Sequence, residues 1–166
     1  KGVLRVPANG GPVQTVVKLA AGEAARSPQL LPDGDQVLFT LGEGTPTNWA
    51  QSRIVAQSMK TGQRTVITAG GDGRYLQSGY LLYVSGGRIM ATRFDARARA
   101  ISGAPKPISE EVQVVSPTGA ALFAVAANGV LAYVRASGPA ATQLALVGLD
   151  GKRTSLGDVP AGTAAP

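Results

Sequence analysis

Neither cysteine nor histidine occurs among the 166 residues. Without cysteine there is no disulfide framework and no thiol chemistry, a composition compatible with an extracytoplasmic home. Without histidine, a Ser-His-Asp triad, a Cys-His dyad and a histidine-rich zinc site are all excluded within the chain. Aromatic residues make up only 5% of the sequence, too few to stack a run of single-stranded bases. Apolar runs are short as well: none approaches the ~20 residues that cross a bilayer as a helix, and no signal peptide is recognisable. The chain opens at Lys1 without a methionine, so a mature product or a fragment is expected.

What is abundant is small and apolar. Hydrophobic residues reach 44%, against 16% charged, and 22 glycines and 11 prolines punctuate them. That balance favours many short strands over long helices, in a chain long enough for one ordinary domain. Three aliphatic segments each run into a glycine turn and a second β-rich segment: Gln29 to Phe39, Arg74 to Val84, and Leu122 to Val134. Their turn glycines, Gly34, Gly79 and Gly129, are 45 and 50 residues apart, the period of four-stranded propeller blades. A blade cannot bury both faces alone, so repeats of this kind stack around an axis. The expected fold is all-β: a partial β-propeller of four-stranded antiparallel blades, about three full blades plus a half blade.

Along the chain, residues 2–7 and 12–17 read as two strands joined by an Ala8-Asn9-Gly10-Gly11 hairpin turn, a half blade over residues 2–19. Blades are expected at about 27–69, 73–112 and 120–157. The first uses Pro32-Asp33-Gly34-Asp35 as its inner turn, and the last uses Asp150-Gly151 as its outer hairpin. Pro105 and Pro107 suit an outer edge strand, where a missing N–H does little harm. The small-residue tail, 160–166, is expected to be flexible.

Ser27-Pro28-Gln29 through Leu31-Pro32-Asp33-Gly34-Asp35-Gln36-Val37-Leu38-Phe39-Thr40 resembles the signature of TolB-type (WD-like) propeller repeats. Gly79-Tyr80-Leu81-Leu82-Tyr83-Val84, followed by Gly87-Arg88-Ile89-Met90-Ala91-Thr92-Arg93-Phe94-Asp95, is similar to a blade found in propellers attached to bacterial membrane serine/threonine kinases. Asn128-Gly129-Val130-Leu131-Ala132-Tyr133 and Leu149-Asp150-Gly151-Lys152 look like the next blade of that group. The resemblance spans about Gly2 to Leu156 and rests on residues that build strands and turns. It implies an extracytoplasmic or periplasmic propeller that recognises protein, peptide or glycan partners. The chain departs from the pattern in being too short to close the usual ring.

The residues that could carry chemistry each have a plainer reading. The net charge of +6 could serve an acidic partner, but the basic residues are scattered, with only Arg88, Arg93, Arg97 and Arg99 grouped locally, so nucleic acid is not expected. Ser58 and Lys60 could form a Ser-Lys dyad if the lysine were desolvated; the hairpin Lys60-Thr61-Gly62-Gln63 would instead keep it in water. Asp33 and Asp35 invite a calcium reading, but the further oxygen donors of a calcium loop do not follow, and a turn explains both. Glu110 and Glu111 should point to opposite faces of a strand and be solvated. Gly70-Gly71-Asp72-Gly73 could offer N–H groups to an anion, yet no helix follows, so an inter-blade connection is expected. Tyr75, Tyr80, Tyr83 and Tyr133 lie in strands and read as packing residues.

Trp49, the only tryptophan, follows a polar loop that includes Thr47 and Asn48. These three are the candidate partner-binding residues, with Trp49 either stacking on a ligand or packing on a blade. No catalytic, metal or cofactor residue is assigned. The expected function is a non-enzymatic binding, sensory or scaffold module of a larger extracytoplasmic regulator. The alternative is an accessory propeller of a peptidase or hydrolase whose catalytic domain is absent. Self-association through exposed blade edges is a further expectation.

Overall fold

The computed structural model describes residues 2–44, 48–115, 118–126, 128–136, 142–148 and 150–159, and every regular element among them is a strand. The tail 160–166 lies outside the described residues. A two-stranded ribbon comes first, β1 (Gly2–Arg5) and β2 (Gln14–Lys18). Next is a four-stranded antiparallel meander: β3 (Glu23–Leu30), β4 (Gln36–Glu43), β5 (Asn48–Ser58) and β6 (Arg64–Ala69). A second meander follows, of β7 (Gly71–Leu76), β8 (Tyr80–Ser85), β9 (Arg88–Asp95) and β10 (Ala100–Glu111). A short ribbon, β11 (Val114–Val115) with β12 (Ala120–Ala121), precedes the third meander. That last sheet holds β13 (Phe123–Val125), β14 (Leu131–Val134), β15 (Thr142–Val147) and β16 (Arg153–Val159). These are the four-stranded antiparallel sheets that the glycine period calls for.

Period-two alternation decides how the sheets stack. In β4, Val37, Phe39 and Leu41 join Val17 and Val55 in one apolar cluster, on the side of the first ribbon. The intervening Leu38 joins Leu31, Ile54 and Ala56 on the other side, against Leu81, Tyr83 and Phe94 of the second sheet. Leu82 and Ile89 of that sheet, with Val112 beyond β10, meet Leu131, Tyr133 and Val147 of the third. The central strands β4 and β8 are therefore buried on both faces. Burial of one such aliphatic or aromatic side chain contributes about 2 kcal/mol, so stacking, not pairing alone, holds the array together. Pro105 and Pro107 lie in β10 at the sheet edge, where the ladder to β9 is interrupted on either side of Lys106 and Pro107.

Three local readings change. The turn near Asn9 is not a two-residue hairpin: Gly10 N–H donates to Pro7 O at 3.0 Å, and the positive φ angles are at Gly10 and Gly11, not Asn9. The central residues of that turn, Ala8 and Asn9, have no positive φ, and the last ladder pair is Arg5 with Gln14, so the ribbon closes through a wider loop. The first sheet begins at Glu23, well before Pro28, because polar contacts hold its start. Glu23 accepts the Ala20 N–H at 2.9 Å and pairs with Arg64 at 2.8 Å. The innermost segment of the last blade is split: β12 pairs with β11, and after Leu122 the chain re-pairs as β13 with β14. Leu122 N–H donates to Gln113 O, and Gln113 N–H to Val134 O, so Gln113 occupies the place of a continuous ladder.

The inner turn of the first blade shows how a short sequence fixes its geometry. Asp33 Oδ1 accepts the N–H groups of Asp35 and Gln36, both at 3.0 Å, while Gly34 takes φ +69°. Burial works against the charged form of Asp33, but these N–H groups outweigh it and hold its carboxyl below the ordinary value. A carboxyl with a lowered folded pKa stabilises fully above its unfolded value, near 4, and loses that contribution as pH falls through the folded value. Asp33→Ala should therefore lower stability in urea by about 1 kcal/mol at neutral pH. The gap from the parent should close on acidification below about pH 4; a gap independent of pH would show that the turn does not depend on the carboxylate.

Candidate functional site

Two strand kinks build the site. β3 loses register with β4 between Arg26 and Gln29, where Ser27 takes φ +54°. β7 loses register with β8 between Gly71 and Arg74, where Asp72 takes φ +52°. Bulges of this kind re-aim side chains, and here both re-aim them at one another. Ser27 Oγ donates to Asp72 Oδ1 at 2.6 Å, across 45 residues of sequence. Ala121 N–H, from the β11–β12 ribbon, donates to Asp72 Oδ2 at 2.7 Å. Asp72 N–H in turn donates to the buried Thr40 Oγ1 at 2.8 Å. One carboxylate thus links the first sheet, the second sheet and the ribbon that leads into the third.

A second clasp lies beside it. The Gln29 amide donates to Tyr75 O at 2.9 Å and accepts Tyr75 N–H at 2.7 Å, replacing a strand partner with a side chain. The glycines of this segment are required by proximity. A Cβ on Gly71 would lie 2.8 Å from an Arg26 nitrogen, and one on Gly73 would lie 3.0 Å from Ile54. Gly71, Asp72 and Gly73 are therefore the opening residues of β7, consumed by packing against the first sheet.

Arg26 is held on three sides. Its Nη2 is 3.3 Å from Asp72 Oδ2, its Nη1 donates to Thr118 O, and its guanidinium lies 4.5 Å from the centroid of the Trp49 ring. Burial lowers the pKa of this guanidinium, and the Asp72 carboxylate pulls it back up. Trp49, near the start of β5, is half-buried, with the Gly119 backbone against its Cβ. Beside it opens a cleft of about 1100 Å³ lined by Arg26, Trp49, Ser52, Gly71, Gly87 and Val115. The wall is more apolar than polar, and its second cation, Arg53, is paired with Glu43.

The sequence candidates are distributed unevenly around this cleft. Trp49 lines it. Asn48 enters as the first residue of β5, its backbone opposite Glu43, and Thr47 lies outside the described residues. Ser58 and Lys60 do not form a dyad: Ser58 Oγ donates to Asp35 Oδ2 at 2.7 Å, and Lys60 contributes its backbone N–H to Asp35 Oδ1 while its side chain is exposed. Asp35 is thereby occupied as a turn residue. Glu110 is exposed but paired, with Arg153 at 2.7 Å and Arg135 at 3.3 Å; the Arg153 contact holds its carboxyl below the ordinary value. The arginine group disperses: Arg88 and Arg93 occupy opposite ends of β9, and Arg93 stacks on Tyr80 at 4.6 Å. Among the described residues no three acidic, histidine or cysteine side chains converge as metal ligands. Among the same residues, no helix is long and apolar enough to cross a membrane.

Arg26, Ser27 and Asp72 were not candidates from the sequence. The available signal was a charged residue flanked by glycines, one blade period after Ser27. The expected reading of Gly70 to Gly73 as a bare connection gave that aspartate no task.

No family model and no curated protein matches the chain. Among solved structures it is similar to regucalcin, described as a calcium-binding protein, from Agrobacterium tumefaciens strain C58. The TM-score is 0.59 at 15% identity, over 92% of this chain and 52% of that one. It is also similar to TolB from Acinetobacter baumannii, with a TM-score of 0.48 at 16% identity, over 94% of this chain and 48% of that one. The chain spans about half the length of these structures. At such identity the likeness is one of fold: an all-β array of propeller type.

Asp72→Ala should leave the Arg26 cation mostly buried and without its counter-charge, at a cost of about 3 kcal/mol in urea unfolding. Asp72→Asn, which tolerates the positive φ and keeps one acceptor, should lose less. Trp49 emission should shift in the alanine variant as Arg26 leaves the ring. Equal stability of parent and both variants would remove the carboxylate from its central place.

Proposed function

We propose that this propeller array is a non-enzymatic binding module whose cleft beside Trp49 captures a peptide segment of a partner protein. The observation that carries the reading is Trp49, held half-buried by Arg26 at the wall of the 1100 Å³ cleft. An aromatic ring fixed in place before binding offers contact area at little further entropic cost, the usual property of an interface anchor. Val84, Val114 and Val115 supply an apolar wall, which favours a peptide over a glycan. The absence of histidine and cysteine, together with the capture of Ser58 by Asp35, supports a role without bond-breaking chemistry. The setting that fits is the extracytoplasmic part of a larger regulator, such as the propellers of membrane kinases that the blade sequences resemble.

The only tryptophan is its own reporter. Titration of the chain with a library of unstructured peptides, and separately with a glycan panel, should shift Trp49 emission saturably with peptides. Trp49→Ala should weaken the same binding, followed by calorimetry, at least tenfold, or about 1.4 kcal/mol. Lys60→Ala, remote from the cleft, should leave it unchanged. Binding that survives Trp49→Ala, or a response to glycans alone, would overturn this reading.

A further inference from the structure

A second cavity, of about 690 Å³, lies between the second and third meanders and shares no lining residue with the cleft beside Trp49. Leu82, Leu131 and Val147 form its buried floor, and Leu76, Ala91 and Ile108 stay half-buried along its sides. Two features leave this space unfilled. The ladder between β10 and β9 is interrupted between Pro107 and Glu111, where Ser109 Oγ accepts the Ile89 N–H at 2.9 Å in place of a strand carbonyl. Opposite, the third meander contributes Gly129, Gly148 and Gly151 to the wall, none of which has a side chain to occupy it.

Exposed charges form the rim, and they are unequally engaged. Both carboxylates are taken: Glu110 by Arg153 and Arg135, and Asp150 by the Lys152 N–H of its own hairpin. Lys106 and Arg88 make no hydrogen bond or ion pair among the described residues, and the Tyr80 hydroxyl has no hydrogen-bond partner there either. Leu82, Ala91 and Lys106 are direct cross-strand neighbours, so the lysine stem rises from the same face as the aliphatic floor.

We infer that this cavity binds a small aliphatic monocarboxylic acid, its hydrocarbon body between the two meanders and its carboxylate at Lys106. The volume falls in the range of roughly 300–1,000 Å³ typical of small-molecule sites, which are likewise mostly apolar with a few placed polar groups. Charge complementarity selects the head group. A cationic head meets no free carboxylate at this rim, and a neutral head gains nothing from Lys106, whereas an anion finds one cation at the floor's edge and a second, Arg88, to draw it in. The site belongs to the junction of the second and third meanders, so the inference does not depend on what the cleft beside Trp49 binds.

Calorimetric titration of the full chain with sodium octanoate should show saturable one-to-one binding, accompanied by a raised thermal midpoint. Octanol and octylammonium carry the same chain on a neutral and a positive head, and each should bind more weakly by about tenfold or more. Lys106→Glu, at an exposed position, should weaken octanoate by about tenfold or more with unchanged far-ultraviolet circular dichroism. Ala91→Leu should also weaken it, by filling the floor while leaving Lys106 in place; should that variant fail to fold, Lys106→Glu decides alone. Lys60→Met, which removes an exposed cation of the first meander, should leave binding unchanged. No saturable binding of octanoate, or equal binding of the three head groups, would overturn the inference. So would octanoate binding indifferent to Lys106→Glu, or weakened as much by Lys60→Met.

Discussion

A sheet whose strands carry apolar side chains on both faces cannot stop at one neighbour. In β4 the residues Val37, Phe39 and Leu41 need a layer on one side while Leu38 needs one on the other. The same holds for β8, where Leu81 and Tyr83 point back to the first meander and Leu82 points forward to the third. Face-to-face stacking is thus the condition under which any of these small sheets is stable, since a lone hairpin or meander buries too little. Turn chemistry, edge prolines and the polar contacts between meanders all act within that condition. They choose how the layers sit, not whether layers form.

Apolar faces slide easily, and the polar contacts fix their angle and offset. Asp72 does this by accepting from Ser27 and from Ala121, residues a blade before and a blade after it in the chain. Thr40, which is fully buried, accepts the Asp72 N–H and orients the strand that carries it. A buried carboxylate with these partners is specific in direction where hydrophobic burial is not. The Gln29 clasp on Tyr75 adds a second point of registration, so rotation of one meander on the other breaks hydrogen bonds at both.

The central strands were legible from residues 36–41, 80–84 and 130–135 because the apolar runs there are nearly continuous and the turn glycines are regularly spaced. The Asp33-Gly34 turn and the edge placement of Pro105 and Pro107 were legible for the same reason: each residue type has one dominant backbone consequence. What could not be read was set by distant partners. The start of β3 at Glu23 depends on Arg64, far along the chain. The break at Leu122 depends on Gln113 taking a place in the ladder. The bulges at Ser27 and Asp72 put non-glycine residues at positive φ, which local propensity disfavours and only the shared hydrogen bonds make tolerable. Trp49 could be singled out because it is alone; its partner Arg26 could not, because nothing local distinguishes it from the other arginines.

The same two bulges explain why a cleft exists where it does. A continuous β3 and a continuous β7 would pack side chain to side chain, as the strands behind them do. The kinks instead turn polar groups toward one another, and Gly70, Gly71 and Gly119 leave their surroundings without bulk. Arg26 then has three fixed contacts, with Asp72, Thr118 and Trp49, and little conformational freedom left to lose. An indole stacked on such a cation is held in place by the requirements of the fold. Strain accepted at Ser27 and Asp72 to align the meanders therefore also fixes the wall of the cleft, so that the alignment of the sheets and the shape of the cleft draw on one set of contacts.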